Sequence, residues 1–213
     1  MEIKPETKKH ITLTAFKLFV KHGFTDVSVN DIVVSANVTK GGFYHHFKSK
    51  DKLIEAVFSH CICPYFENAI KEAESLMPPK KRAEGFVDRL AGYEQYVREL
   101  FYPESIDTTQ FYFLVMEGIK KYEYISAYYS VFYNKAKKLI REALCEGIAL
   151  GQLLPGIDVE AAAMRILTAH EGMVLVSVYS GSFPDKRDLL YSFYTIWDSL
   201  AVPSNGVKGG VTA

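Results

Sequence analysis

The sequence holds three cysteines and one tryptophan in 213 residues, and its formal charge sums to zero, with 25 Lys or Arg against 25 Asp or Glu. Cys61, Cys63 and Cys145 lack the paired spacing of a zinc finger or ribbon. On one helix Cys61 and Cys63 would point roughly 200° apart, which opposes a disulfide between them. His60-Cys61-Ile62-Cys63 leaves two readings open: a thiol or metal sensor, or structural thiols buried in a reducing compartment. No apolar run reaches the ~18 residues that a membrane span requires. The opening segment MEIKPETKKH has no apolar core of the kind a signal peptide carries. A location in the cytoplasm, away from membranes, is therefore expected. There is also no phosphate-binding loop, no metal-ligand cluster and no nucleophile with an organised base, so neither catalysis, cofactor nor metal is expected. His170-Glu171, on a predicted helix, invites acid–base chemistry. Without a nucleophile it reads better as an interior pair or as polar groups of a ligand pocket.

What is present is apolar side chain in quantity. Hydrophobic residues make up 48% of the chain, enough with this length to bury a proper core. The zero net charge hides an uneven spread. Residues 1–52 hold nine Lys and five Asp or Glu, with His10, His22, His45 and His46 besides, and the remainder is weakly acidic. A basic head on an acidic body suits a regulator of which only the head meets nucleic acid.

The stretch SVNDIVVSANVTKGGFYHHFKSKDK, residues 28–52, has the local chemistry of a helix-turn-helix. Ser28 and Asp31 have capping-box spacing, and Ile32, Val33 and Ala36 give a short apolar face. Asn37 tolerates the left-handed backbone that a tight turn demands. Thr39 can cap a second helix beginning Lys40-Gly41-Gly42. Each glycine costs about 1 kcal/mol of helix stability relative to Ala, so their presence wants a reason, and close approach to another surface supplies one. Lys40, Tyr44, His45, His46, Lys48 and Lys50 can all donate hydrogen bonds to phosphates or base edges. Ser49 caps the helix that follows, a further favourable end for phosphate.

Residues 11–58 resemble the DNA-binding domain of the tetracycline-repressor (TetR) family of bacterial regulators. The resemblance rests on KHGF at 21–24, on SVNDIVVSANVTKGGFYHHFKSKDKLIEAV at 28–57, and above all on GFYHHFKSK at 42–50. Asn37 stands where the family usually has Gly, and Phe43 where Leu or Ile is more usual. The resemblance implies an all-α protein with a helix-turn-helix head, a helical body that binds an effector, and dimerisation through the last two helices. The divisions expected are a DNA-binding domain over 1–48, a ligand-binding and dimerisation domain over 49–202, and a flexible tail over 203–213.

Taken in order, helix 1 is expected from about Thr7 to Lys21, with Ile11, Ala15, Leu18 and Phe19 on one stripe and Gly23 closing it. Lys4, Lys8 and Lys9 either reach the DNA backbone, as the resemblance allows, or form a solvated face. A helix from Ser49 to about Leu76 is expected to kink or break near Cys61–Cys63, because Pro64 lacks an N–H and clashes with the carbonyl of His60. That bend is either static or the joint of a ligand-driven movement. Helices follow over about Lys81–Phe101 (ended by Pro103), Ser105–Gly118 and Glu123–Leu150.

Aromatics crowd this body: 13 lie among residues 93–133. Core packing accounts for any single ring, but the cluster reads as the wall of a cavity for an apolar or aromatic effector. The candidate lining is Tyr93, Tyr96, Phe111, Tyr112, Met116, Tyr128 and Phe132, with His170 and Met173. The last two helices, capped by Asp158 and Asp185, each carry two apolar stripes where a monomer's rim needs one. Ile166, Met173, Leu189, Phe193, Ile196, Trp197 and Leu200 are the residues expected at a two-fold dimer interface. The expected whole is a homodimeric repressor, released from operator DNA by an apolar or aromatic small molecule. Lys40, Tyr44 and His45 would meet the groove, Thr39 would cap the helix whose Gly41 lies close to DNA, and Ser28, Lys48 and Lys50 would hold phosphate.

Overall fold

The computed structural model describes residues 5–102, 108–181 and 184–203, and every regular element among these described residues is helical. The expectations placed on Lys4, Pro103, Ser105 and the tail beyond Pro203 lie outside them. Three helices form the head: α1 (Pro5–Asp26), α2 (Val29–Ser35) and α3 (Lys40–His46). Ile11, Ala15, Phe16 and Phe19 bury one face of α1. The helix breaks at Gly23, whose φ of 80° only glycine adopts freely, and a last turn follows to Asp26. At α2 the capping box closes: Asp31 N–H donates to Ser28 Oγ at 3.2 Å and Ser28 N–H to Asp31 Oδ2 at 2.8 Å. Asn37 turns the chain at φ 50°, and Thr39 Oγ1 then accepts from Gly42 N–H at 3.0 Å to start α3. Ile32, Val33, Ala36, Phe43 and Phe47 fill the space between the three helices.

The body begins with α4 (Lys50–Val57), capped by Ser49. The kink or break expected near Cys61–Cys63 takes the form of a π-helical turn over Phe58–Ile62, between α4 and α5 (Cys63–Glu74). Pro64 explains the turn. It has no N–H for the carbonyl of His60, and the ladder shifts by one residue so that Cys63 N–H reaches Phe58 O. Two tyrosines bond to carbonyls at this turn, Tyr96 OH donating to Cys61 O at 2.8 Å and Tyr128 OH to Cys63 O at 3.0 Å.

One helix expected to be continuous is divided, into α6 (Pro79–Ala91) and α7 (Tyr93–Phe101). At Gly92 the chain passes under Tyr65, whose hydroxyl donates to Arg89 O at the end of α6, and a Cβ on Gly92 would stand 3.3 Å from that hydroxyl. Pro79 starts α6 at its first turn, where a missing N–H costs nothing. Next, α8 (Thr108–Lys121) runs past Gly118, where the sequence reading ended it. Glycine is used there for contact: a Cβ would lie 3.0 Å from Ile125 and 3.3 Å from Phe24. α9 (Glu123–Ala149) spans the body, and α10 (Val159–Ser180) and α11 (Lys186–Ser199) close it, capped by Asp158 and Asp185.

In the body, α6 packs against α5, α9 and α11, while α10 lies on α9 and α11. By length and composition α10 could cross a bilayer, but Ala162, Ala163, Ile166 and Leu167 on it are buried within this fold. Head and body share one apolar core. α1 packs on both α4 and α8, and Phe16 sets its ring edge-on to Phe101 at 5.6 Å and Phe111 at 6.2 Å.

Candidate nucleic-acid interface and ligand cavity

The outer face of α3 is polar and open. Thr39, Lys40, Gly41, Tyr44 and His45 are exposed, while Phe43 and Phe47, one turn apart, point inward. Tyr44 keeps 53% of its surface exposed, its ring lying edge-on to Phe43 at 5.2 Å. The glycine pair divides into two cases. A Cβ on Gly42 would crowd the capping Thr39 Oγ1 at 3.3 Å, but one on Gly41 would meet only that atom at 3.9 Å, an ordinary contact. Packing among the described residues therefore gives no reason for glycine at 41.

The flanking cations differ among themselves. Ser28 and Lys48 are exposed, as their expected role with phosphate requires. Lys50 is only partly exposed, its Nζ donating to Thr25 O at 3.4 Å; partial burial lowers its pKa, against the pull of Glu117. One of its three ammonium donors thus meets the α1–α2 junction. His46 is half-buried beside Lys8, and burial, His45 and Lys8 together push its pKa down. His45 is the more open of the two rings.

Behind the head, α5 to α10 enclose a cavity with about 730 Å³ free of protein atoms, part of it open to solvent. It gathers five of the expected lining residues: Tyr93, Phe111, Tyr112, Met116 and His170. Tyr96 is turned to the π-helical turn instead. Tyr128 and Phe132 border a separate groove between α5 and α9, and Met173 lies on a shallow surface between α10 and α11. Phe66 was passed over in the sequence, while Tyr129 and Tyr133, counted in the aromatic cluster, and Glu171, noted beside His170, were left out of the candidate lining; all four line the cavity. For Tyr129 and Tyr133 the signal was available: they sit four apart on α9 and so share a face.

The polar atoms in this cavity are unusual for a packed interior. Tyr93 OH, Tyr129 OH and both ring nitrogens of His170 are buried without a hydrogen-bond partner. His170 Nδ1 stands 3.4 Å from Glu171 Oε1, close for an ion pair but outside hydrogen-bond geometry. Burial pushes the phenols of Tyr93 and Tyr129 far above their ordinary range, so they remain neutral donors. Among the described residues no group of three or more His, Cys, Asp or Glu side chains is placed to hold a metal ion. Burial also raises the Cys61 and Cys63 thiols to about 11.

Of the residues expected at a dimer interface, Ile166, Leu189, Phe193 and Trp197 are buried within the chain itself. They belong to its own core, because α10 and α11 pack on α6 and α9 by the stripe that carries them. Ile196, Leu200 and Met173 are partly buried. The apolar face left open carries Met164, Val176, Tyr179 and Tyr191, exposed by 46%, 62%, 78% and 73%.

Comparison with known proteins bears on the head and on the fold separately. Residues 11–57 match the family model described as bacterial regulatory proteins, tetR family. Among curated proteins, "Uncharacterized HTH-type transcriptional regulator YerO" of Bacillus subtilis is 30% identical over 133 residues, covering 55% of this chain and 44% of that protein. The chain spans less than half the length of the first curated relatives it matches. Among solved structures, a TetR transcription regulator from Haloarcula marismortui superposes with a TM-score of 0.73 at 15% identity, over 92% of this chain and 99% of that one. A TetR-family regulator from Cytophaga hutchinsonii gives 0.70 at 17% identity, over 96% and 100%.

Proposed function

We propose that this chain is a tetR-family, ligand-responsive repressor that binds operator DNA as a homodimer; the match of residues 11–57 to the family model and the shared fold support that reading. The observation that carries the proposal is the outer face of α3. It presents Lys40, Tyr44 and His45 around a glycine, Gly41, that packing among the described residues does not require. A helix of this kind enters a major groove with its N-terminal residues against base edges. Thr39 fixes the start of α3 by accepting from Gly42 N–H, which leaves its own O–H free to donate to a phosphate. Lys48 and Lys50 hold phosphate, and Ser28 joins them only when its N–H or hydroxyl leaves the Asp31 carboxylate to which both now donate.

The dimer forms through the open face of α10 and α11, which brings two heads to two half-sites. The cavity in the body takes an apolar or aromatic effector, and its aromatic walls and unpartnered hydroxyls support that role. Effector binding favours a dimer whose heads are wrongly spaced, which requires that it bind that state more tightly than the DNA-bound one.

The test is a mobility shift of the full chain on the DNA upstream of its own gene, at stated salt, against scrambled DNA of equal length. Specific retardation that Lys40→Ala weakens supports the proposal. Equal retardation of both DNAs, or a Lys40→Ala and a Tyr44→Phe variant as tight as the parent, contradicts it.

A further inference from the structure

The charge pattern of the cavity narrows what it can hold. Its lining includes two carboxylates, Glu94 and Glu171, and no Lys or Arg. Glu94 is already matched, with Arg98 Nη2 2.6 Å from its Oε1. Glu171 is not. Its polar neighbours are the His170 ring and the Tyr133 hydroxyl. Its side chain keeps 40% of its surface accessible although protein crowds it on nearly every side, so what it faces is the cavity. Burial alone would push its pKa up, but the imidazole and the phenol outweigh burial and hold it below the ordinary carboxylate range. It faces an aromatic enclosure whose lining holds no Lys or Arg, and among the described residues the His170 imidazole is the one basic group beside it.

A carboxylate that faces a cavity without a Lys or Arg leaves a place for a cation from outside the chain. We propose that the effector is an apolar or aromatic monocation, a protonated amine or a quaternary ammonium, whose charge faces Glu171 and whose body lies against Tyr93, Phe111, Tyr129 and Tyr133. Rings of Tyr and Phe present their negative faces to such a group, and desolvation strengthens that attraction. The Tyr93 and Tyr129 hydroxyl oxygens, buried without a partner, can accept from the N–H groups of a protonated amine. An anion of the same size would meet Glu171 with no Lys or Arg to offset it, so the arrangement selects against it as well as for its opposite. This inference rests on the cavity being the effector site.

A matched series separates the two ideas: (1-naphthylmethyl)trimethylammonium, 1-naphthylmethanol and 1-naphthylacetate, titrated calorimetrically into the full chain. The cation is expected to bind about tenfold or more tightly than the alcohol, with the acetate weakest. Glu171→Gln is expected to erase that preference, and Glu171→Asp, which keeps the charge and the fold should Gln disturb it, to retain much of it. If the alcohol or the acetate binds as well as the cation, or Glu171→Gln keeps the preference, the charge assignment is overturned while the cavity reading stands. If none of the three binds a chain whose melting transition is intact, both fall together.

Discussion

Glu117 Oε2, on α8 in the body, accepts a hydrogen bond from the Phe24 N–H of the head at 2.8 Å. Its other oxygen accepts from Thr25 N–H at 3.1 Å and from Thr25 Oγ1 at 2.5 Å, and Lys121 closes the group from 2.9 Å. The break at Gly23 frees these N–H groups, and glycine is needed twice over, since a Cβ there would lie 2.9 Å from the carboxylate. The same helix α8 lines the cavity with Phe111, Tyr112, Val115, Met116 and Ile119. One helix therefore touches both the cavity and the α1–α2 junction of the head.

Glu117→Ala is expected to lower stability by about 1–3 kcal/mol, because it strands two backbone donors, with a smaller loss for Glu117→Gln. Chemical denaturation measures this. The same variant is expected to weaken release from DNA by effector, and a variant with unchanged release would show that α8 does not carry the signal at this point.

The clamp also has a pH signature. Burial raises the Glu117 pKa, but hydrogen bonds from Thr25, Lys121 and Phe24 outweigh it and set it below the usual 4.5. A carboxyl with a depressed folded-state pKa contributes stability that is complete above its ordinary value and lost as pH falls through the depressed one. Amide protection at Phe24 and Thr25, read by NMR, is therefore expected to persist near neutrality and to fall only below about pH 4.5. In Glu117→Gln this step should be absent. Loss of protection already near neutral pH would contradict the assignment.

Pro64 makes a second testable point between head and body. Pro64→Ala restores an N–H for His60 O and should let the π-helical turn relax toward a regular helix, altering operator affinity, effector response or both. If neither moves, the turn is a static bend. Tyr96→Phe and Tyr128→Phe each remove one hydroxyl from that turn and are expected to cost about 1 kcal/mol.

The thiols separate by reactivity. Cys61 and Cys63 are buried, their pKa raised from 9.0 to about 11, whereas Cys145 is exposed. At neutral pH the raised pair holds about a hundredfold less thiolate than it would at the ordinary value, so a thiol reagent should label Cys145 first and leave the others until the chain unfolds. Rapid labelling of Cys61 or Cys63 in the native protein would revive the sensor reading.

Val176→Asp or Tyr191→Glu, each placing charge on the open face of α10 and α11, is expected to shift sedimentation toward the monomer. Ile166→Ala should instead lower stability by about 2–4 kcal/mol through a cavity in the chain's own core. A dimer untouched by the first two variants would place the interface elsewhere.

The local signals in the sequence proved the most readable. Ser28, Thr39, Ser49, Asp158 and Asp185 cap helices because a short side-chain oxygen next to a helix start has few other uses. What sequence did not disclose depends on partners far along the chain. Gly92 ends a helix because Tyr65 sits against it, and Gly118 does not end one because Ile125 and Phe24 need its surface. Two apolar stripes on α10 and α11 were plain, but which stripe faces inward is set by α6 and α9, so Ile166, Leu189, Phe193 and Trp197 fell to the core. Glu171 was visible only as half of a suggestive pair with His170, and its meaning as a carboxylate facing the cavity needed the walls around it.

The most direct test of the head's role is a hydroxyl-radical footprint of the full chain on the DNA upstream of its own gene. Two protected tracts of similar size are expected, centred about 10 base pairs apart or a multiple of that, and both should vanish with Lys40→Ala. A single tract, or protection that Lys40→Ala leaves intact, would contradict the placement of one α3 helix in each of two successive grooves.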